Sequence, residues 1–203
     1  DKQALTVAVY SSPHIEHFNE RLRINKIDVN DKSFIEAFEQ IELARTDISL
    51  SYYEYTTLAA FLILMAVKPD IIILEVGLGG RLDATNIIDA NVAVITSIDL
   101  DHQIFLGNDR EAIGFEKAGI FRANQHIIIG DTRTPKSVIK YAEDLHRDME
   151  KPIDHKLRRN IKVREQNFTI VQTNTGESSD TWQWLYTSEN SETITIEGLC
   201  NTH

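Results

Sequence analysis

Four short runs rich in β-branched residues, at 7–10, 71–75, 92–97 and 126–129, constrain this chain more than any other feature. Each is a short continuous run rather than an alternating one, and each is bounded by turn signals, the pattern of strands covered on both faces. Helical stretches lie between them. Residues 32–43 place Phe34, Phe38 and Ile41 on one face with charges opposite, and 53–67 is apolar nearly all round and stops before Pro69. Residues 109–118 and 135–149 complete the set, the latter with Pro135 at its start. Strand and helix alternate, so the expected class is α/β, a mostly parallel sheet flanked by helices.

From Lys156 the pattern changes. Residues 161–164, 168–172, 181–186 and 193–196 alternate or are β-rich, and "TNTGESSD" and "TSENSE" read as hairpin connectors. The expectation is an α/β body over 1–155 and a small antiparallel β subdomain over 156–203. A chain of 203 residues, 42% hydrophobic, has enough apolar side chains for a real core. Its net charge of −10 argues against nucleic acid as a partner. Anionic small ligands would need local help, from backbone N–H groups or metal ions. Cys200 is the sole cysteine, which excludes an internal disulfide and a cysteine zinc cluster. The longest apolar run, "TLAAFLILMAV", is too short to cross a bilayer, so a cytoplasmic protein with no membrane partner is expected. The chain opens at Asp1 close to the strand-like "ALTVAVY" and ends abruptly on "IEGLCNTH", which reads as a piece cut from a longer protein.

The run "IIILEVGLGGRLDATN" carries the densest chemistry. Gly77, Gly79 and Gly80 half match a dinucleotide fingerprint, but Leu82 stands at the third glycine position and no amphipathic helix follows. No Gly-Lys-Ser/Thr occurs anywhere, so it is not a P-loop. What remains is a glycine-rich loop at the carboxyl end of a strand, where open α/β sheets bind ligands. Glu75 ends an aliphatic run and is costly to bury without a cation or strong donors. It either turns to solvent and caps the loop or serves as a magnesium ligand; the second reading is preferred. Arg81, Asp83 and Asn86 are candidates for the same loop or for internal turn formation. Asp99, Asp101 and His102 follow the next strand, and "SSPH", Ser11 to His14, follows the first. Ser, Glu and His at three strand ends suggest one shared edge. Lys117 in "GFEKAGIF" reads by itself as a helix C-terminal lysine before a Gly119 cap.

Taken in order, "VYSSPH", "SYYEYTTLAA", "ILEVGLGGRLDATN", "ITSIDLDH" and "LGNDREAIGFEKAGIF" resemble the folylpolyglutamate synthase/dihydrofolate synthase family of the Mur ligase superfamily, over about residues 7–129. The resemblance implies an ATP-dependent ligase that joins L-glutamate to dihydropteroate or a folate through an acyl phosphate, as a monomer. It implies two magnesium ions, with Ser12 and Glu75 as ligands near the γ-phosphate and His102 as a ligand of the second. Lys117 is similar to a lysine that becomes carbamylated, which turns a cation into a carboxylate able to hold a metal. Asp83 and Ala84, with Ser51 and Tyr53, match positions that cradle the pterin.

The family's P-loop, Gly-Thr-Asn-Gly-Lys-Gly-Ser/Thr, is absent, so the chain is expected to be a fragment of the central ATPase domain. Gln103 and Ile104 stand where the family has a Thr-Asp-like pair. A sheet lacking its first parallel strand would expose an edge prone to aggregation. The alternatives are a cell-wall Mur ligase, disfavoured by "GGRLDATN", and a non-catalytic remnant.

Overall fold

The computed structural model describes residues 4–123, 125–147, 161–164, 168–174, 181–188 and 193–199. Backbone contacts divide the chain into two compact units, 1–88 and 89–203. Among the described residues no helix is long and apolar enough to cross a membrane.

The first unit is a four-stranded mixed sheet with two helices. Its strands are β1 (Val7–Tyr10), β2 (Leu22–Ile24), β3 (Ile27–Asp28) and β4 (Ile71–Leu74), in the order β3-β2-β1-β4. β1 and β4 run parallel, with Tyr10 opposite Leu74, while β2 lies antiparallel to β1. Helix α1 (Asp31–Arg45) starts where Asn30 accepts the Ser33 N–H, and buries Phe34, Ala37 and Ile41. Helix α2 (Tyr52–Val67) starts in a capping box, in which Ser51 Oγ accepts the Glu54 N–H and Glu54 accepts the Ser51 N–H. It ends at Lys68, in the left-handed conformation just before Pro69. Ala59 and Ala60 of α2 are fully buried in a core that also holds Ala8, Tyr10 and Leu22, and such short side chains permit close packing. The buried Tyr10 hydroxyl is satisfied by Thr57 at 2.9 Å.

Between β1 and β2 the chain makes an excursion that ends in a 3-10 turn, Phe18–Arg21. The Glu20 carboxylate organises it by accepting the N–H groups of His17 (2.6 Å), Ile15 (3.0 Å) and Glu16 (2.8 Å). Those bonds, His17's foremost, lower its pKa from 4.5 to about 2. A depressed carboxylate pKa stabilises the loop above the unfolded value, and that contribution is lost as pH falls through about 2. Amide shifts of Ile15, Glu16 and His17, followed downward from neutral pH, should titrate together near that value. A common midpoint at an ordinary carboxylate pKa would contradict these bonds.

The second unit carries a three-stranded parallel sheet, β5 (Val92–Ile95), β6 (His126–Ile129) and β7 (Ile161–Val163), in that order. Helices α3 (Gln103–Leu106), α4 (Arg110–Ala118) and α5 (Lys136–Arg147) connect and cover it. Asp109 caps α4 by accepting the Ala112 N–H at 2.8 Å. Ile113, Phe121, Ile127, Ile129 and Val138 are the largest fully buried apolar side chains of its core. A separate antiparallel meander follows, β8 (Phe168–Asn174), β9 (Thr181–Ser188) and β10 (Thr193–Leu199), in the order β10-β9-β8.

The α/β class, the flanking helices and the C-terminal antiparallel sheet match the sequence reading. Two expectations need correction. Residues 161–164 were assigned to the antiparallel tail, yet β7 pairs parallel with β6, because Ile161 and Val163 extend the apolar surface of that sheet. Nor are all four aliphatic runs covered on both faces: Ile71, Ile72 and Ile73 are 42–51% exposed, and Val92 and Val94 are also half-exposed. β4 and β5 are terminal strands, each paired on one side only among the described residues. The β4 edge therefore presents half-exposed isoleucines beside an open hydrogen-bonding ladder, a template for unwanted pairing. The end of the helix expected over 135–149, most of the two connectors and Cys200 lie outside the described residues.

Candidate functional site

The parallel register of β1 and β4 brings their carboxyl ends side by side, so Ser12 and Glu75 leave the sheet at one edge. The Glu75 N–H donates to the Tyr10 carbonyl (2.9 Å), and the Glu75 carboxylate accepts the Ser12 N–H (3.2 Å). From the first turn of α2, Tyr53 reaches the same place, with its hydroxyl 3.5 Å from both the Glu75 carbonyl and an Asp83 carboxylate oxygen. Burial, and next the Asp83 charge, raise the Tyr53 pKa. The phenol is thus a protonated donor at neutral pH.

Asp83 is the centre of the glycine loop. One oxygen accepts the N–H groups of Gly77 and Leu78, both at 3.0 Å; the other accepts the Thr85 N–H (2.9 Å) and Thr85 hydroxyl (2.7 Å). Two firm donors on each oxygen fill its acceptor capacity, leaving the long Tyr53 bond as the replaceable one. Asp83 and Asn86, which donates to the Arg81 carbonyl, are therefore internal organisers of the loop. Ala84 begins the short 3-10 turn Ala84–Ile87 immediately after it.

The glycines have specific tasks. Gly79 has φ +66°, where a side chain would be strained. A Cβ on Gly77 would lie 2.6 Å from Cζ of Tyr53 and 2.8 Å from its hydroxyl oxygen, so the backbone's close neighbour is the Tyr53 ring. Gly77→Ala should displace the phenol from Asp83 and destabilise the first unit by about 1–3 kcal/mol. Unchanged Tyr53 ring resonances in that variant would contradict this packing.

Ser51 is committed to capping α2 and has no described bond to Tyr53, Glu75 or Asp83. His102 and Lys117 belong to the second unit. His102 is the N-cap of α3 in the left-handed region (φ 49°, ψ 38°), with its exposed ring 3.6 Å from the Asp101 carboxylate. Lys117 lies half-buried in the last turn of α4 and makes no ion pair among the described residues. The segment leading to His102 is anchored by a pair that sequence reasoning missed. Asp131 accepts the Ile98 N–H (2.8 Å), the Arg133 N–H (2.7 Å) and the Arg110 guanidinium (2.9 Å), while Arg110 Nε donates to the Ile98 carbonyl (2.9 Å). Burial pushes the Asp131 pKa up, but these donors outweigh it and hold it below the usual carboxylate range. The only signal available was an acidic residue closing the run "HIIIGD".

No group of three or more His, Cys, Asp or Glu side chains among the described residues could hold a metal ion unaided. Glu75 and Ser12 supply one carboxylate and one hydroxyl. That hard-oxygen pair fits magnesium, which keeps waters and substrate phosphates in most of its octahedral positions.

A family model, the Mur ligase middle domain, matches residues 24–196. The dihydrofolate synthase/folylpolyglutamate synthase of Haemophilus influenzae is 48% identical over 177 residues, which cover 83% of this chain and 40% of that protein. Among solved structures, Escherichia coli FolC in complex with DHPP and ADP superposes with a TM-score of 0.79 at 39% identity, covering 95% of this chain and 41% of that one. The bifunctional folylpolyglutamate synthase/dihydrofolate synthase of Yersinia pestis, complexed with AMPPNP and a Mn ion, gives 0.77 at 39% identity, covering 95% and 41%. The chain spans well under half the length of these relatives.

Proposed function

The chain belongs to the Mur ligase family, through the middle domain of that family, and from this we propose that the protein of which it is part is an ATP-dependent ligase joining L-glutamate to dihydropteroate and to folates. The observation that carries this reading is the convergence of Ser12, Tyr53, Glu75 and Asp83 at one strand end. Support comes from the name of the Haemophilus influenzae relative, a dihydrofolate synthase/folylpolyglutamate synthase, and from the ADP and AMPPNP held in the Escherichia coli and Yersinia pestis structures.

In the proposed reaction a substrate carboxylate oxygen attacks the γ-phosphorus of ATP and ADP departs. The α-amine of glutamate then attacks the acyl carbon of the acyl phosphate and loses a proton, and the tetrahedral intermediate collapses as phosphate leaves. The chain itself is acidic and repels both anionic substrates. Magnesium, when bound, supplies the neutralising charge at the phosphates. Glu75 and Ser12 would hold one ion: the Glu75 carboxylate accepts one described hydrogen bond, which leaves lone pairs free. His102 would serve a second ion. A carbamate formed on the neutral Lys117 amine would add a carboxylate there, and among the described residues this side chain makes no ion pair. Tyr53, Asp83, Ala84 and Ser51 form the proposed pterin side, where the Tyr53 hydroxyl can exchange its long bond to Asp83 for a substrate acceptor.

The test is an assay of the complete gene product with ATP, magnesium and glutamate, in which the acceptor is varied. Phosphate release that depends on dihydropteroate or a folate is expected. Inactivity with both, alongside activity with a UDP-muramyl peptide, would overturn the reading.

A further inference from the structure

The excursion that follows Ser12 returns to the sheet at Arg21, and this residue holds it by both main chain and side chain. Its carbonyl accepts the Ser11 N–H at 3.0 Å, and its Nε donates to Nδ1 of His14 at 2.8 Å. The guanidinium carbon lies 5.3 Å from the centre of the Tyr52 ring, and the group also reaches the Tyr10 hydroxyl. Arg21 is 7% exposed and makes no ion pair with a carboxylate among the described residues. A cation this buried and not neutralised is costly, and an aromatic face and neutral partners offset the cost only in part. A guanidinium can only donate, so Nδ1 of His14 is an acceptor and the proton of the neutral ring sits on Nε2. Because Glu20 fixes Ile15, Glu16 and His17, the half-buried imidazole is carried on a preformed frame two residues beyond Ser12.

We propose that His14, backed by Arg21, is an anion-binding donor at the rim of the Ser12–Glu75 strand end: its Nε2–H, with the guanidinium charge behind it, takes an anionic oxygen of the bound substrate. His14 touches the ligand, and Arg21 is a positioning residue that fixes the ring's orientation and tautomer. This supplies the local positive character that a chain of net charge −10 needs for an anionic ligand. The inference rests on the ligase reading. The shared chemistry, an oxygen anion, belongs to either the pteroate carboxylate or an ATP phosphate.

Two measurements test it. In the 203-residue chain with 15N-labelled histidine, long-range imidazole spectra at fixed pH should show His14 as the Nε2–H tautomer, assigned by its loss in His14→Gln. Arg21→Met should yield a tautomer mixture, and Arg21→Lys, which keeps the charge without the Nε geometry, should shift the same signals. An Nδ1–H tautomer in the unmodified chain would overturn the proposal. In the complete gene product, His14→Ala should raise one KM by about tenfold or more with kcat little changed, the cost of one charge-assisted hydrogen bond. A rise in KM for dihydropteroate identifies the carboxylate as the ligand, and a rise in KM for ATP identifies the phosphate. An active wild-type enzyme with both KM values unchanged in His14→Ala would defeat this inference alone, whereas an inactive wild type would defeat the ligase reading with it.

Discussion

Glu75→Gln in the complete protein is expected to abolish ligation, with kcat reduced by about a thousandfold or more while the fold persists. Glutamine keeps the side-chain oxygen that accepts the Ser12 N–H, so the β1–β4 edge should survive, and thermal unfolding should be close to that of the wild type. What is removed is the negative charge. A neutral amide is a poor ligand for a hard dication, and without the cation the γ-phosphate meets an anionic acceptor unshielded. Phosphate release under saturating ATP and magnesium measures the effect. Activity within a few-fold of wild type would show that Glu75 only closes the loop, the alternative that its position in the sequence left open.

Asp131→Ala should produce the largest loss of stability, about 3 kcal/mol in the second unit. The substitution leaves the Ile98 and Arg133 N–H groups without their acceptor and strips Arg110 of its counter-charge. Because Arg110 also donates to the Ile98 carbonyl, the peptide groups on both sides of Ile98 lose their anchor together, and Asp99, Asp101 and His102 follow directly. Denaturant unfolding read through amide exchange at Ile98 reports the change. Asp131 has a depressed pKa in the folded chain, so its contribution is present above the unfolded value and is lost as pH falls through the folded one. An Asp131→Ala chain with wild-type exchange at Ile98 would mean that the segment is held by its apolar contacts alone.

Signals confined to one element were mostly readable from sequence, and most of those spread over two were not. The aliphatic runs located β1 and β6 to the residue, since a short β-branched run flanked by turn formers has few other structures open to it. The amphipathic and apolar stretches placed α1, α2 and α4 within two residues at their N-termini. The hairpin of β2 and β3 escaped notice because its turn uses Asn25 and Lys26 at φ 51° and 69°, where Asn-Gly is the usual signature. That Ser12 and Glu75 share an edge was legible from their positions after buried-looking runs. That Asp83 ties up its own loop was one of the two readings its place in a tight turn allowed. That Arg21 backs His14 and that Arg110 pairs with Asp131 were not legible, because each depends on an approach that no local pattern encodes. The misplacement of β7 has the same origin: a strand of three residues carries no mark of the partner it will choose.

The most direct test of the central claim, that this strand end serves a ligase working through an acyl phosphate, is oxygen transfer in the complete protein. Dihydropteroate labelled with 18O in its carboxylate, incubated with ATP, magnesium and L-glutamate, should yield inorganic phosphate carrying one labelled oxygen for each amide formed. That stoichiometry follows because the carboxylate oxygen that attacks phosphorus leaves with the phosphate. Amide formation accompanied by unlabelled phosphate would contradict the account.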